Sequence, residues 1–269
     1  MGGYKKNMFQ PKEYWEKRLK QKYSLQGVGF TKLGLYYNFW LYQIRKAVFF
    51  KNIKSLIHKK HYSSVLDIGS GTGFYIPLWQ SLNIKKITAS DITDYAVAML
   101  KKKYPFADSI SLDVGAQINR SMKKKRYAII SAFDILFHIV DNAKYEKAIK
   151  NIHELLETNG LFIFTENLVE NDSENKTHYR SQNFEYLQNL LQKTGFKIIK
   201  KQPVFIMMNY PIAIKSSFIK FMWKLFAFPI YLIPFLGAIT GALLYPLELL
   251  LLQIVKKGYS TQLIICEKK

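Results

Sequence analysis

A strand that ends in aspartate and runs straight into three spaced glycines constrains this chain more than any other feature. In VLDIGSGTGFY (65–75) the run SSVLDI (63–68) reads as a strand, and a helix starts near Tyr75. Between them Gly69, Gly71 and Gly73 let the backbone turn tightly and approach a ligand closely. The exposed first amides of such a helix favour an anionic or polar ligand group. A nicotinamide-dinucleotide fingerprint needs glycines at 69, 71 and 74, but position 74 is Phe.

From that turn onward, short β-rich runs alternate with helical patterns, which predicts a parallel sheet with crossover helices. KKITASD (85–91), SISLDV (109–114), YAIISAF (127–133) and LFIFTEN (161–167) read as the second to fifth strands. FKIIKKQPVF (196–205) and STQLIICEKK (260–269) read as the last two. Helices are expected over 94–104, 145–157 (ended by Asn159-Gly160) and 183–194, with a polar loop over 170–182. The leading 62 residues read as helical, with an aromatic segment, YYNFWLYQIRKAVFF (36–50). Asp91, Asp113, Asp134 and Glu166 fall at or next to the carboxyl ends of strands, where open α/β sheets bind ligands. Asp91, 22 residues after Gly69, is placed to accept hydrogen bonds from both ribose hydroxyls, and Asp113 to take an exocyclic adenine amine.

The D-x-G-x-G-x-G turn, the acid ending the second strand and SAFDILFHIVD after the fourth resemble class I S-adenosylmethionine-dependent methyltransferases. The resemblance covers residues 11–205 and 260–268. The longer pattern GVGFTKLGLYYNFWLY, LDIGSGTGFY, SAFDILFHIVD, GALLYPLELLL and STQLIICEK is similar to a bacterial subgroup of these enzymes. It implies a Rossmann-like α/β fold with a seven-stranded sheet of order 3-2-1-4-5-7-6 and an antiparallel seventh strand. It implies S-adenosyl-L-methionine as cofactor, S-adenosyl-L-homocysteine as product and no metal. Carried over by position, Gly69, Gly71 and Gly73 cradle the methionine part, Asp91 binds the ribose, and Asp113 with the Val114 amide holds the adenine; Asp67, Ser70, Ile92 and Phe133 join the same cofactor site.

Methyl transfer is an in-line displacement, so positioning and desolvation supply much of the rate. A hydroxyl acceptor also needs a base. His138, four residues after Asp134, is the candidate, with packing beside the helix start as its structural alternative. Asp134 is placed with it in the catalytic set. Asp141 reads as a helix cap. Glu166 can orient the acceptor or a helix, and His178 and Arg180 in THYR (177–180) line the acceptor side or a solvated loop.

The formal charge is +21, and residues 1–62 alone carry fourteen Lys or Arg against two Glu. Such a face favours polyanions, whether nucleic acid, anionic lipid or phosphorylated substrate, unless its lysines are simply solvated. Only five of the forty basic residues are Arg, the residue suited to bidentate phosphate and guanine contacts, so nucleic acid is not the expected partner. The start of the chain shows no apolar signal segment, and Lys6 occupies the position where myristoylation at Gly2 needs Ser or Thr. With one cysteine, Cys266, a reducing cytoplasmic setting is expected, peripheral to the inner membrane surface if at a membrane at all.

That proviso comes from YLIPFLGAITGALLYPLELLLL (231–252), where one glutamate is the only charge. The chain therefore divides into a basic, aromatic helical cap (1–62), a cofactor-binding domain (63–205), an apolar helical insert (206–259) and a last strand (260–269). In the implied topology the insert leaves and re-enters the sheet at its cofactor-bearing edge, which excludes a single membrane crossing. Two crossings need roughly 40 apolar residues. The run from Leu225 to Val255 has 31, interrupted by Pro229, Pro234 and Pro246, which are expected to shorten its helices. A lid over the cofactor that forms an apolar acceptor pocket is the expected arrangement. Contact with a membrane interface through flanking Lys215, Lys220, Lys224, Lys256 and Lys257, or an inserted hairpin, are the alternatives. The expected function is methylation, at oxygen, of a small or lipid-linked, partly apolar acceptor. An RNA methyltransferase and a non-enzymatic membrane-surface protein with a cofactor fold are the alternatives.

Overall fold

The structure is a computed structural model that describes residues 9–60, 62–169 and 178–269. Most of the polar loop expected over 170–182 lies outside the described residues.

The strands are β1 (Ser64–Ile68), β2 (Lys86–Asp91), β3 (Asp108–Ser111), β4 (Tyr127–Ala132), β5 (Leu156–Val169), β6 (Gln182–Asn183), β7 (Phe196–Pro203) and β8 (Thr261–Lys268). The sheet order is β3-β2-β1-β4-β5-β8-β7, with β6 a two-residue parallel strand beside the end of β5. Counting only the seven principal strands, this is the order 3-2-1-4-5-7-6 expected from sequence. β8 is antiparallel to both neighbours, as expected. Every residue of β1 and β4 is buried, which is why both read as unbroken apolar runs around a few small polar residues. β3 lies at the sheet edge and is largely uncovered.

Helices α1 (Pro11–Gln21), α2 (Leu25–Val28) and α3 (Gly34–Lys59) precede β1. The crossovers are α4 (Ile76–Ser81), α5 (Asp94–Lys103), α6 (Arg120–Lys123), α7 (Asn142–Leu155) and α8 (Phe184–Lys193). The apolar segment forms α9 (Ser217–Leu232) and α10 (Leu236–Ile254). One core joins α3, α4 and α5 to one sheet face through Val48, Phe49, Ile53, Trp79 and Leu100. The other joins α6, α7 and α8 to the opposite face through Met122, Tyr145, Ile149, Leu187 and Leu191. Side-chain caps fix some of the helix starts, the one at Asp141 as the sequence suggests. Asp141 accepts the Lys144 N–H at 2.8 Å and Asn183 accepts the Tyr186 N–H at 3.1 Å.

Three boundaries differ from expectation. β3 ends at Ser111, paired with Asp91, so Asp113 lies two residues beyond it in a loop. β5 begins at Leu156, five residues early, so α7 (Asn142–Leu155) ends before it and Asn159-Gly160 lie inside the strand rather than ending the helix. Leu156 pairs with Tyr127, and a register shift with Asn159 at φ 59° absorbs the irregularity before Leu161 pairs with Ile129. The strand also runs on to Val169, so Glu166 sits inside it, opposite Gln262. Finally, Pro229 and Pro246 do not shorten the apolar helices but lie within α9 and α10, and only the stretch 233–235 around Pro234 interrupts them.

Candidate active site

The glycine turn joins β1 to α4 under a cover made by the amino-terminal helices. Gly69 and Gly71 have φ of 69° and 52°, left-handed values that favour glycine. A Cβ on Gly69 would come within 2.2 Å of Ile135, so the loop after β4 packs directly on this backbone. Asp91 fastens the turn. Its Oδ2 accepts the Gly71 N–H at 3.0 Å, and its Oδ1 accepts the Thr93 N–H at 2.9 Å and the Thr93 hydroxyl at 2.8 Å. From above, Tyr23 donates its hydroxyl to the Gly71 carbonyl at 3.0 Å.

A cavity of about 250 Å³ opens over this turn. It brings together Gly69, Ser70, Gly71, Asp91, Ile92, Asp113, Val114, Phe133, Asp134 and His138 among the residues expected from sequence. Asp67 and Gly73 do not line it. Asp67 is buried below the turn, where it accepts the Ser131 hydroxyl at 2.6 Å and the Ser70 hydroxyl at 2.8 Å, and burial pushes its carboxyl up to about 6. A Cβ on Gly73 (φ 77°) would meet Tyr104 at 2.3 Å, so this glycine serves packing against α5.

Asp134, at φ 58°, is engaged on both oxygens. Arg45 of α3 donates to Oδ2 at 2.7 Å, and the Thr165 hydroxyl donates to Oδ1 at 3.0 Å. Arg45 itself lies between the rings of Tyr42 and Phe205, at 4.9 and 4.8 Å. This pairing makes Asp134 an anchor of the loop after β4 rather than an available base. His138 holds its Nδ1 2.7 Å from the His178 carbonyl, and a carbonyl only accepts, so Nδ1 carries the proton and Nε2 the lone pair. Burial pushes the imidazolium down to about 4, against the opposing pull of that carbonyl, so the ring is neutral near pH 7.

Of the acceptor-side residues, Glu166 takes its helix-orienting alternative, and Arg180 lies neither in the cavity wall nor in a solvated loop. Glu166 is fully buried, accepting the Tyr145 hydroxyl at 2.8 Å and the Asn167 N–H at 3.0 Å, and burial pushes its carboxyl up to about 7. Arg180 is also buried, over the Tyr145 ring at 4.4 Å, with a donor on Asn142. Both brace α7 behind the cavity. His178 stacks on Tyr14 at 5.5 Å, outside the cavity wall.

The insert is not the lid. None of its residues lines the cavity, whose cover is Phe9 and Gln10 with Pro11, Trp15 and Leu19 of α1 and Val28 of α2. Trp15 packs edge-on against His138 at 4.9 Å. Trp15 and Leu19, one turn apart in a helix that Pro11 starts, were the available signal for this role. Tyr75, stacked on Phe133 at 4.0 Å, and Lys144 also line the cavity and were not anticipated. Among the described residues no group of three potential metal ligands occurs.

The cavity residues fit S-adenosylmethionine. Two positive-φ glycines present bare backbone, Asp91 keeps acceptor capacity beyond its three hydrogen bonds, and Asp113 is exposed beside Val114. A family model for a methyltransferase domain matches residues 41–201, more than half of the chain. The chain belongs to the class I, S-adenosylmethionine-dependent methyltransferases. The methyltransferase resembles the magnesium protoporphyrin IX methyltransferase of Synechocystis PCC 6803 with bound S-adenosylhomocysteine. The TM-score is 0.55 and the identity 13%, with 96% of this chain and 98% of that one covered. A Burkholderia thailandensis structure, 1,6-didemethyltoxoflavin-N1-methyltransferase, gives a TM-score of 0.51 at 14% identity over 85% and 78% of the chains. In sequence it matches the ribosomal protein L11 methyltransferase of Staphylococcus aureus at 25% identity over 56% of this chain. The match spans only 43% of that relative's length.

Proposed function

We propose that this methyltransferase acts on oxygen of a small or lipid-linked, partly apolar acceptor. The observation that carries the reading is the single cavity that joins the glycine turn and Asp91 to an aromatic chamber holding His138 under α1. Bound S-adenosylmethionine supplies an electrophilic methyl group on a cationic sulfur. Gly69, Ser70 and Gly71 hold its methionine side, Asp91 and Ile92 its ribose, and Asp113 with the Val114 amide its adenine. Phe9, Trp15, Tyr75, Phe133 and Ile139 exclude water and favour an apolar acceptor. His138, its Nδ1–H held by the His178 carbonyl, takes the acceptor hydroxyl's proton at Nε2.

The test is incubation with labelled S-adenosylmethionine and a fractionated lysate. Label is expected in the lipid or small-molecule pool. Label in RNA, or in protein as the name of the Staphylococcus relatives suggests, replaces the acceptor class, and calorimetry without cofactor binding sinks the reading. Asp91→Ala is expected to abolish labelling. His138→Ala is expected to spare cofactor affinity and slow turnover by about 10²-fold. Because burial holds His138 at about 4, its base form persists above that value. The rate is therefore expected to be flat between about pH 5 and 8 as far as this residue is concerned, and to fall as pH drops through about 4.

A further inference from the structure

The apolar helices that do not cover the site present their apolar sides outward. On α9, Trp223, Ala227 and Ile230 form the buried stripe. Phe218, Phe221, Leu225, Phe228 and Leu232 recur at helical spacing on the opposite side and are exposed, Phe218 by 69%. On α10, Gly237, Gly241 and Glu248 face inward, while Ile239, Leu243, Leu247, Leu250 and Ile254 form an exposed stripe, Leu243 by 71%. Leu35, Tyr36 and Phe39 at the start of α3 extend the same surface, with Tyr36 against Phe235 at 5.8 Å. A helix apolar on every side belongs in a protein core or in lipid, and α10, whose only charged residue is the inward-facing Glu248, is only half enclosed by protein.

The charges around this surface identify the occupant. Residues 206–259 carry five lysines and one acid, Glu248. Glu248 is turned inward and fully buried, accepting the N–H groups of Ile206, Met207 and Met208 at 2.5, 3.1 and 3.2 Å. On α9, Lys220 and Lys224 run along one shoulder of the apolar stripe, with Lys215 before the helix and Lys256 after α10. A second copy docked face to face would set lysine against lysine with no exposed carboxylate from this segment to answer it. Anionic headgroups neutralise the same ring.

A spanning arrangement is ruled out by packing, although α10 is long and apolar enough to cross a bilayer. A Cβ on Gly237 would come within 2.9 Å of Tyr37, and one on Gly241 within 2.1 Å of Trp40, so glycines let α10 lie tightly along α3. Trp40 donates to the Ala238 carbonyl at 3.0 Å and Lys51 to the Leu252 carbonyl at 3.2 Å, so the two helices run side by side in parallel. α3 is also part of the sheet core through Val48, Phe49 and Ile53. Carrying α10 across a membrane would drag the sheet with it.

We propose that α9, α10 and the start of α3 form a docking face that lies in the plane of an anionic lipid bilayer, with apolar stripes among the acyl chains and lysines among the headgroups. Behind this face, Trp223 on the buried side of α9 meets Phe30 at 6.0 Å, two residues from Val28 in the cavity wall.

The experiment is co-sedimentation of the full chain with equimolar phosphatidylglycerol–phosphatidylcholine vesicles and with pure phosphatidylcholine vesicles, at low and high salt. Preferential pelleting with anionic vesicles, weakened by salt, is expected. The pair Leu243→Glu and Leu250→Glu is expected to lower partitioning at least about tenfold. Thermal midpoint and S-adenosylmethionine affinity should be unchanged, because both side chains already face solvent. Lys220→Glu with Lys224→Glu should remove the preference for anionic lipid and serves as the fold-neutral second probe. Wild-type protein that stays in the supernatant, or a leucine pair that pellets like wild type, overturns the proposal. So does a solution dimer that the leucine pair dissolves, which would assign the face to a second copy. None of these readouts requires turnover, so the outcome is independent of the acceptor.

Discussion

Glu166 and Asp67 both carry raised carboxyl values, about 7 and about 6, with burial as the leading cause and hydroxyl hydrogen bonds pulling the other way. The folded chain therefore retains protons that the unfolded chain releases near the ordinary carboxylate range. The stability they contribute is complete below that range and lost as pH rises through about 6 to 7. In Glu166→Gln, the carboxamide oxygen can accept from Asn167 and its NH₂ can donate to Tyr145. Thermal denaturation of this variant is expected to depend less on pH than wild type between about pH 5 and 8, and to be more stable at the upper end by on the order of 1–3 kcal/mol. A parallel pH dependence in both proteins would refute this. At this scale the sequence was informative where a residue's place rests on backbone conformation, as at Gly69 and Gly71, which the structure gathers with Asp91 at one cavity. It left alternatives open where a polar residue's direction depends on partners elsewhere in the chain. Glu166 ends in the interior, where Tyr145 of α7 donates to it, and the bare backbone of Gly73 makes room for Tyr104.

Among the elements, the order of the strands came from the resemblance that the motifs carry, and the strands themselves were legible because each parallel one is an apolar run bounded by turn residues. The place of α9 and α10 was not. Both leave and return at the edge of the sheet that the topology requires, but nothing periodic in YLIPFLGAITGALLYPLELLLL shows that Gly237 and Gly241 seat α10 on α3 rather than over the cavity. Glu248 completes that placement by collecting three amides of the chain leaving β7. Glu248→Ala leaves those N–H groups without their acceptor, and it is expected to lower stability by about 3 kcal/mol, read as a reduced denaturation midpoint. Loss of less than about 0.5 kcal/mol would show that water replaces the carboxylate and that the clasp is not structural.

Taken as one molecule, the protein is tied together by a single helix. α3 meets α10 through Tyr37 and Trp40, reaches the site through Arg45 and joins the sheet through Phe49. A ligand bound only by the folded state at about 100 times its dissociation constant adds about 2.7 kcal/mol, roughly 5–10 °C for a chain of this size. That shift is expected from S-adenosylmethionine and from S-adenosylhomocysteine, measured by differential scanning fluorimetry, and is expected to vanish in Asp91→Ala. The covering role of α1 has a further use. The chain holds four tryptophans, and Trp15 is the one that lines the cavity, while Trp79 is sealed in the core. Occupancy of the site can therefore be followed as a change in Trp15 emission, with no acceptor in the cuvette and no label on the cofactor.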